Sequence, residues 1–328
     1  MLPRKEDNLR RSVYGRVNPT EYIALDLEWN QPGCVSALRE RNEVALHGEI
    51  IQIGAVKMNN RFEITDTLEI NVRPEIYKNI TKRIETITGI NTDAARQGIP
   101  MAQAMEKLKV WCGRRFTFLT WGSDDIKVLR DNLKFFGMTE KWLPEKNYDL
   151  QIIFDYLNTH EGRQFSLDFA IEFYGIAEDR KRHNAFNDAF YTALVCGRMK
   201  PFKCIENYKR VIIEKLLHEN NGPAQAGLTR KVQVFESLNV MKNLKKVCGE
   251  RVTCPECNKK AVLLNRYRQS ELNYTLMYGC SEHGYFVSTL KMRPIESFKV
   301  TRVVRSTYKP GNAENMKMGL KVKKWRAI

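Results

Sequence analysis

The chain has 328 residues, of which 43% are hydrophobic and 28% are charged. This composition supports a buried core and excludes wholesale disorder, and no apolar run reaches the roughly 18–20 residues that a membrane-spanning helix needs. Most of the formal net charge of +16 lies in residues 201–328, which carry 25 Lys and Arg against 10 Glu and no Asp. We therefore expect two units, the second of which faces a polyanion such as nucleic acid. An acidic protein partner or a role in solubility would leave the same charge.

The N-terminal segment and the cysteines bear on where the protein works. Residues 1–19 are basic and have no apolar run behind their charges, so they do not resemble a signal peptide. Five of the eight cysteines are scattered and three lie close together, which is more typical of reduced thiols and a metal site than of a disulfide framework. We expect a cytoplasmic protein that makes no membrane contact.

Residues 20–200 predict an α/β domain. Strand-like segments rich in β-branched and apolar residues occur at 21–28, 49–58, 66–72 and 116–121 and near 147. Apolar residues at helical spacing predict helices at 101–112, 124–136, 165–174 and 187–199. Three meandering strands followed by alternating helices and strands indicate a mixed sheet flanked by helices.

The basic second half predicts a different organisation. Residues 201–250 predict a helical connector, with helices at 202–218 and 231–247 around a breaker rich in Asn and Gly. Residues 251–293 show turns and short strands, and residues 294–328 predict a basic tail. As a set, the tail's cations, Arg302 and Arg305 among them, favour contact with phosphates over a merely solvated tail.

The first candidate for chemistry is the pair Asp26 and Glu28 in the first predicted strand. Alternate side chains of a strand share a face, so both carboxylates point to one side. Two such carboxylates are costly together unless a cation lies between them, and a divalent metal ion suits carboxylate oxygens. Taken alone, the pair is a weak signal because exposed strands often carry similar pairs.

Two further candidates lie where a predicted helix begins. Asp124 and Asp125 stand at such a junction, where α/β sheets place ligands, although a capping role for Asp124 explains the same residues. His183 and Asp188 lie five positions apart, about 140° around a continuous helix, so they converge only if His183 precedes the helix. A surface histidine is the alternative for His183, and the basic residues 180–182 either hold phosphates or are simply solvated.

Together these residues are far more specific than any one of them. Their order along the chain resembles that of the DEDDh class of 3′→5′ exonucleases, which includes proofreading exonuclease subunits and ERI-like exoribonucleases; the five residues are Asp26, Glu28, Asp125, His183 and Asp188. The resemblance covers residues 20–200 and extends to EIIQIGAV, TWGSDD and HNAFNDAFYTA. Asp125 fits better than Asp124, because an apolar residue follows it and Leu129 lies four positions later. Trp29 and Asn30 depart from the pattern, since many members have Thr after the second carboxylate.

The resemblance implies a ribonuclease-H-like fold and a metal-dependent hydrolase. In such an enzyme two Mg²⁺ or Mn²⁺ ions would be held by four carboxylates, those of Asp26, Glu28, Asp125 and Asp188. His183 would act as the general base, and nucleoside 5′-monophosphates would leave single-stranded or unpaired 3′ ends of RNA or DNA. The alternative is a nucleic-acid-binding protein that has lost turnover.

Two residues beside the carboxylates are candidate substrate contacts. Leu27 and Trp29 flank the paired carboxylates, and we predict that one of them stacks on or wedges against the terminal base. The alternative is that Leu27 belongs to the core and Trp29 packs against the loop at 30–48.

The second strong motif lies in residues 251–293. Two short knuckles separated by 22 residues match a structural zinc ribbon with three thiolates and one imidazole, namely Cys254, Cys257, Cys280 and His283. Chance spacing or a redox pair is the alternative. Four protein ligands leave no open position, which favours a structural Zn²⁺ that supplies folding energy. Nearby basic and aromatic residues suggest nucleic-acid contact, whereas a protein-docking module would tie the chain to a larger assembly.

Overall fold

The computed structural model describes residues 21–34, 37–219 and 228–309, with the side chain of Leu228 excepted. The chain divides into two compact units. The first comprises the described residues up to Asn158 together with Gln164–Tyr208, and the second comprises Thr159–Arg163 and the described residues from Lys209 onward. The predicted N-terminal basic segment, residues 1–19, lies outside the described residues, as do residues 310–328 of the predicted tail.

The first unit is built on a five-stranded mixed sheet. Its strand order is β5-β4-β1-β6-β7, with β1 at Glu21–Asn30, β4 at Glu49–Met58, β5 at Ile64–Asn71, β6 at Phe116–Thr120 and β7 at Asn147–Asp149. Strands β1, β4 and β5 pair antiparallel, whereas β6 and β7 add in parallel. A short hairpin, β2 at Glu40–Arg41 and β3 at Val44–Ala45, lies in the loop after β1. The mixed α/β sheet confirms the predicted fold class.

Nine helices of the described chain lie between Lys82 and His218; the first eight belong to the first unit, and the ninth belongs to the second unit apart from its first residue. Their bounds are α1 Lys82–Thr88, α2 Thr92–Arg96, α3 Met101–Cys112, α4 Asp124–Phe135, α5 Leu150–Phe154, α6 Leu167–Phe173, α7 Ala185–Met199, α8 Phe202–Glu206 and α9 Tyr208–His218. A single π-helical turn, Asp155–Thr159, follows α5. No helix of the described residues is long and apolar enough to cross a bilayer.

Apolar and acidic side chains alternate along the second half of β1, and this alternation separates the core of the first unit from its polar residues. Ile23, Leu25 and Leu27 are almost fully buried and pack with residues of α3 and α4. The side chains at the alternate positions of β1, which include Asp26 and Glu28, therefore point to the other face of the sheet. Helix α7 crosses β1 and β4 on that face.

The second unit holds a five-stranded antiparallel sheet. Its strand order is β8-β12-β11-β10-β9, with β8 at Leu228–Phe235, β9 at Val262–Arg268, β10 at Asn273–Cys280, β11 at Gly284–Ile295 and β12 at Val300–Tyr308. Helix α10, Val240–Gly249, packs Leu244 and Val247 onto one face of this sheet. The candidate zinc knuckles belong to this larger sheet rather than to an isolated ribbon.

The predicted helix at 231–247 is wrong over its first half. Residues up to Phe235 form strand β8, and the helix begins only at Val240, where the Asn239 side chain accepts a hydrogen bond from the amide of Lys242. The run RKVQVF alternates polar and apolar residues with the period of a strand, and β8 pairs with β12 along its whole length. Long-range pairing therefore overrides the weaker helical spacing.

The predicted basic tail is also wrong where it can be compared. Residues 300–308 form β12, between β8 and β11 in the sheet. Arg302 and Arg305 are 9% and 5% exposed and donate to carbonyl oxygens in the last turns of α9 and α10, those of Leu216 and Val247. These cations satisfy the unpaired carbonyls that end each helix, so they hold the second unit together and are not available to phosphates.

Candidate active site

The two carboxylates of β1 lie at the end of an apolar strand. Asp26 pairs with Gly54 and Glu28 with Gln52 in the neighbouring antiparallel strand β4. The register shifts between Glu28 and Trp29, because a bulge interrupts the pairing there. Both carboxylates are half-buried and face α7, whereas Leu27 between them is buried in the core.

Helix α7 begins directly against β4. The Gln52 side chain accepts a hydrogen bond of 2.9 Å from the backbone amide of Ala185, the first residue of the helix. Beside it, a Cβ on Gly54 would lie 2.0 Å from the Ala185 carbonyl oxygen, so only glycine permits this approach. The Asn184 side chain caps the helix by accepting from the amide of Asn187. Gln52 and Gly54 therefore set the start of α7, a role that the sequence alone did not reveal.

His183 and Asp188 converge because the chain turns between them. His183 has a left-handed backbone with φ of 59° and precedes the helix, and Asp188 lies in the first turn of α7. The backbone amide of His183 donates to Asp188 Oδ2 over 3.3 Å. Arg182, directly before the histidine, donates from Nε to Asp188 Oδ1 over 2.7 Å.

Asp125 reaches the same region from α4. Ser123 occupies the N-cap position without a side-chain hydrogen bond, and Asp124 is the exposed first residue of the helix. Asp125 is 6% exposed, and its Oδ1 accepts a hydrogen bond of 3.0 Å from the Leu27 amide on β1. This bond ties the start of α4 to the strand that carries the paired carboxylates.

Three carboxylates form a tight group. One oxygen each from Asp26, Glu28 and Asp188 lies within 4.8 Å of the others. Asp125 is not part of that group, although it lines the same pocket of about 380 Å³ together with His183. The structure thus brings all five candidate catalytic residues to one pocket and three of the four candidate metal ligands into one cluster.

The electrostatics of this cluster favour a cation. Burial, together with the negative charges of neighbouring carboxylates, raises the pKa of Glu28 to about 7 and that of Asp26 well above its usual range. Burial also raises the pKa of Asp125 to about 7, against the hydrogen bond from the Leu27 amide that lowers it. Carboxylate oxygens are the donors that Mg²⁺ and Mn²⁺ prefer, so a divalent ion would offset this repulsion. The residues present therefore fit the metal ions that the resemblance implies.

We predict that the protein without added Mg²⁺ or Mn²⁺ becomes less stable as the pH rises from 5 to 8. Glu28 and Asp125 keep their protons up to a pKa of about 7 in the folded state, whereas such groups titrate at about 4 in an unfolded chain. Between these values the folded state binds more protons than the unfolded state, so the free energy of unfolding falls as the pH rises. This contribution is fully present below about pH 4 and is lost above about pH 7.

The measurement is the thermal unfolding midpoint at several pH values, with and without Mg²⁺. A Glu28→Gln variant removes one of the titrating carboxyl groups and should show a shallower fall of the midpoint. Added Mg²⁺ should raise the midpoint more at pH 8 than at pH 5, because the carboxylates are ionised there. A slope that is identical in the wild type and in Glu28→Gln would contradict the prediction.

The two candidate substrate contacts both line the pocket, in different surroundings. Leu27 lines the pocket, but it is 2% exposed and packs in the core. Trp29 is half-buried, and its ring lies against Gly48, where an added Cβ would approach it to 2.5 Å. Stacking on a terminal base stays a prediction for Trp29, and the ring also packs against the loop that precedes β4.

The wall of the pocket contains two glutamines that the sequence did not single out. Gln151, Gln164 and Trp121 line it together with the start of α4. Trp121 Nε1 and Gln151 Nε2 both donate to the Phe165 carbonyl oxygen, over 3.0 and 2.7 Å. These bonds hold the segment before α6 at the pocket. No local pattern marks the two glutamines, because they meet Trp121 only through the packing of α5 against this segment.

The candidate zinc ligands form a compact cluster in the second unit. The Sγ atoms of Cys257 and Cys280 are 3.6 Å apart, and His283 Nδ1 lies 3.8 Å from the Sγ atoms of Cys254 and Cys280. All four ligand atoms lie within 4.8 Å of one another. A tetrahedron with zinc–sulfur bonds of about 2.3 Å has edges of about 3.8 Å, so the spacing suits Zn²⁺.

The backbone around the second knuckle also favours the thiolate form of Cys280. The backbone amides of Glu282 and His283 point at the Cys280 sulfur and lower the pKa of that thiol to about 6. Left-handed backbone at Asn258 and at Gly284, with φ of 60° and 73°, turns the chain after each knuckle. Thiolate is the form that binds metal, so these loops favour ligation.

Comparison with known proteins agrees with this geometry. The exonuclease family model, RNase_T, matches residues 34–196. The chain is 30% identical over 166 residues to the probable 3′-5′ exonuclease KapD of Bacillus subtilis, a match that spans 50% of this chain and 76% of that protein. The chain belongs to the DEDDh 3′→5′ exonuclease family. The exonuclease is a hydrolytic enzyme, and its family membership implies that divalent metal ions bind at the carboxylates.

More distant relatives are similar over part of their length. The exonuclease is 25% identical to the 3′-5′ exoribonuclease 1 of Homo sapiens over 216 residues, which span 61% of this chain and 56% of the human protein. Among solved structures, it is similar to the nuclease domain of 3′hExo, a DEDDh family member bound to rAMP. That match has a TM-score of 0.46 and 23% identity and covers 58% of this chain and 96% of the other.

Proposed function

We propose that this exonuclease removes nucleotides one at a time from single-stranded or unpaired 3′ ends of RNA or DNA and releases nucleoside 5′-monophosphates. The observation that carries the proposal is the convergence of Asp26, Glu28 and Asp188 within 4.8 Å, with Asp125 and His183 on the same pocket. A cluster of buried, mutually repelling carboxylates in an open pocket is a costly arrangement that a bound cation relieves.

In the proposed mechanism the four carboxylates would hold two Mg²⁺ or Mn²⁺ ions. Bound ions of this kind supply activation of a water molecule and neutralise charge on the reacting phosphate. His183 takes the proton of the attacking water as general base; its side chain is exposed at the pocket, and its backbone amide bonds Asp188. The start of α4 contributes Asp125, whose bond to the Leu27 amide orients it toward the pocket.

We further propose that the second unit holds one structural Zn²⁺ and adds phosphate contacts. Support for zinc comes from the tetrahedral spacing of Cys254, Cys257, Cys280 and His283. Support for phosphate contact comes from the basic excess of residues 201–328, although Arg302 and Arg305 serve the fold instead. Docking of a protein partner through the second unit stays a prediction.

The test is a degradation ladder on matched single-stranded RNA and DNA that carry a 5′ label. With Mg²⁺ or Mn²⁺ present, the wild type should shorten the substrate from its 3′ end by one nucleotide at a time, and the faster polymer identifies the substrate class. Asp26→Ala removes one of the clustered carboxylates and should abolish shortening, with the fold checked by circular dichroism. Chromatography should identify 5′-monophosphates as the product. If the protein bound the oligonucleotides without shortening them in either metal, the nuclease mechanism would be refuted and the alternative, a nucleic-acid-binding protein, would be favoured.

A further inference from the structure

Arg182 lies between two carboxylates at the edge of the active site. Its Nε is 2.7 Å from Asp188 Oδ1, and its Nη1 is 2.5 Å from Asp168 Oδ1 on α6. The guanidinium carbon also lies 5.4 Å from the centre of the Tyr191 ring on α7. Only 16% of the arginine side chain is exposed, so the guanidinium is held in one place by contacts on three sides.

Asp188 receives one donor on each of its oxygens. Arg182 bonds Oδ1, and the backbone amide of His183 bonds Oδ2 over 3.3 Å. A carboxylate offers about four acceptor positions, so one bond on each oxygen leaves capacity for a cation on the cluster side. The two bonds fix the rotation of the carboxylate, and they come from consecutive residues of one loop.

We propose that Arg182 is a positioning residue that orients Asp188 for metal binding and couples it to the loop that carries His183. The planar guanidinium contacts Asp188 and Asp168 from different nitrogens, a geometry that a lysine ammonium cannot reproduce. Asp168 anchors the far side of the arginine to α6, so the loop is fixed between two helices. This inference rests on the proposed function, because it assumes that divalent ions bind at the carboxylate cluster.

A role of Arg182 in orienting Asp188 and a role as a counter-ion predict different effects of a charge-conserving substitution on metal affinity. If Arg182 acted only as a counter-ion for the carboxylates, Arg182→Lys would leave metal affinity unchanged. If it orients Asp188, the same substitution should weaken Mn²⁺ binding, because the loss of a group that positions a metal ligand typically lowers affinity by about 10–100-fold. The matched control is Arg180→Lys in the same loop, whose guanidinium lies over the rings of Phe186 and Phe190 instead.

The experiment is titration of Mn²⁺ into the full-length protein by isothermal calorimetry, with the thermal midpoint recorded for each variant. We expect a loss of Mn²⁺ affinity of about 10–100-fold in Arg182→Lys and none in Arg180→Lys. Exonuclease activity of Arg182→Lys should recover when Mn²⁺ is raised by the same factor, and a thermal midpoint without metal that equals the wild-type value would separate this effect from a loss of stability. Unchanged affinity in a folded Arg182→Lys, or equal losses in both variants, would overturn the proposal.

A second variant keeps the proposal testable if Arg182→Lys does not fold. Asp168→Asn leaves Arg182 in place and removes its outer anchor; because 60% of the Asp168 side chain is exposed, solvent screens the lost charge. We expect a smaller loss of Mn²⁺ affinity in this variant, and unchanged affinity would overturn the positioning role. Absence of Mn²⁺ binding to the wild type would instead refute the proposed function, and the inference with it.

Discussion

Gly54→Ala is expected to reduce exonuclease activity by at least about 100-fold, because a displacement of about 1 Å at a catalytic site costs that much. The added Cβ would lie 2.0 Å from the carbonyl oxygen of Ala185 and 2.3 Å from the amide nitrogen of Phe186. Both are backbone atoms at the start of α7, so no flexible side chain can move aside. The helix must shift away from β4 and carry Asp188 away from Asp26 and Glu28.

The same substitution should lower the free energy of unfolding by about 1–3 kcal/mol, the usual cost of overpacking a core. Chemical denaturation, the ladder assay and Mn²⁺ titration measure the three effects on one preparation. Gly33→Ala is the matched control, since a Cβ there meets no atom within 4 Å and the residue lacks a positive φ. Wild-type activity in a folded Gly54→Ala variant would show that the start of α7 tolerates displacement.

Loss of one candidate zinc ligand is expected to unfold the second unit. Cys280→Ser removes a sulfur that lies 3.6 Å from Cys257 Sγ and 3.8 Å from His283 Nδ1. Structural zinc binding is worth about 10–16 kcal/mol in small zinc domains, which is as large as the whole stability of many domains. The knuckles close onto β10 and β11, so the sheet of this unit depends on the cluster.

Metal analysis of the purified protein should find one zinc per wild-type chain and a large loss in Cys280→Ser. Thermal unfolding should then lose the transition of the second unit, while the first unit keeps its own. Cys34→Ser, at an exposed cysteine outside the cluster, is the control for loss of a thiol. A Cys280→Ser variant with full zinc content and unchanged unfolding would contradict a structural metal site.

Much of the first unit follows from local sequence. The segments EIIQIGAVKM and MAQAMEKLKVWC form a strand and a helix with the bounds that periodicity predicted. In each case the predicted bounds agree with the tertiary contacts, since both elements contribute buried residues to the core of the first unit. The order of the acidic residues, the histidine and the cysteine knuckles likewise indicated both candidate sites. The cytoplasmic location stays a prediction.

Only the tertiary structure decided how these elements meet. Residues 231–235 and 300–308 have ambiguous local signals, and pairing of β8 with β12, about 70 residues apart in the chain, determines their conformation. The roles of three residues depend on contacts that local sequence does not reveal. Gly54 and Gln52 lie against Ala185 at the start of α7, and Arg182 contacts Asp168 on α6. Periodicity predicts which face of an element is buried. It cannot specify which backbone atom lies against that face, because close approach and hydrogen-bond geometry depend on the packing of the whole unit.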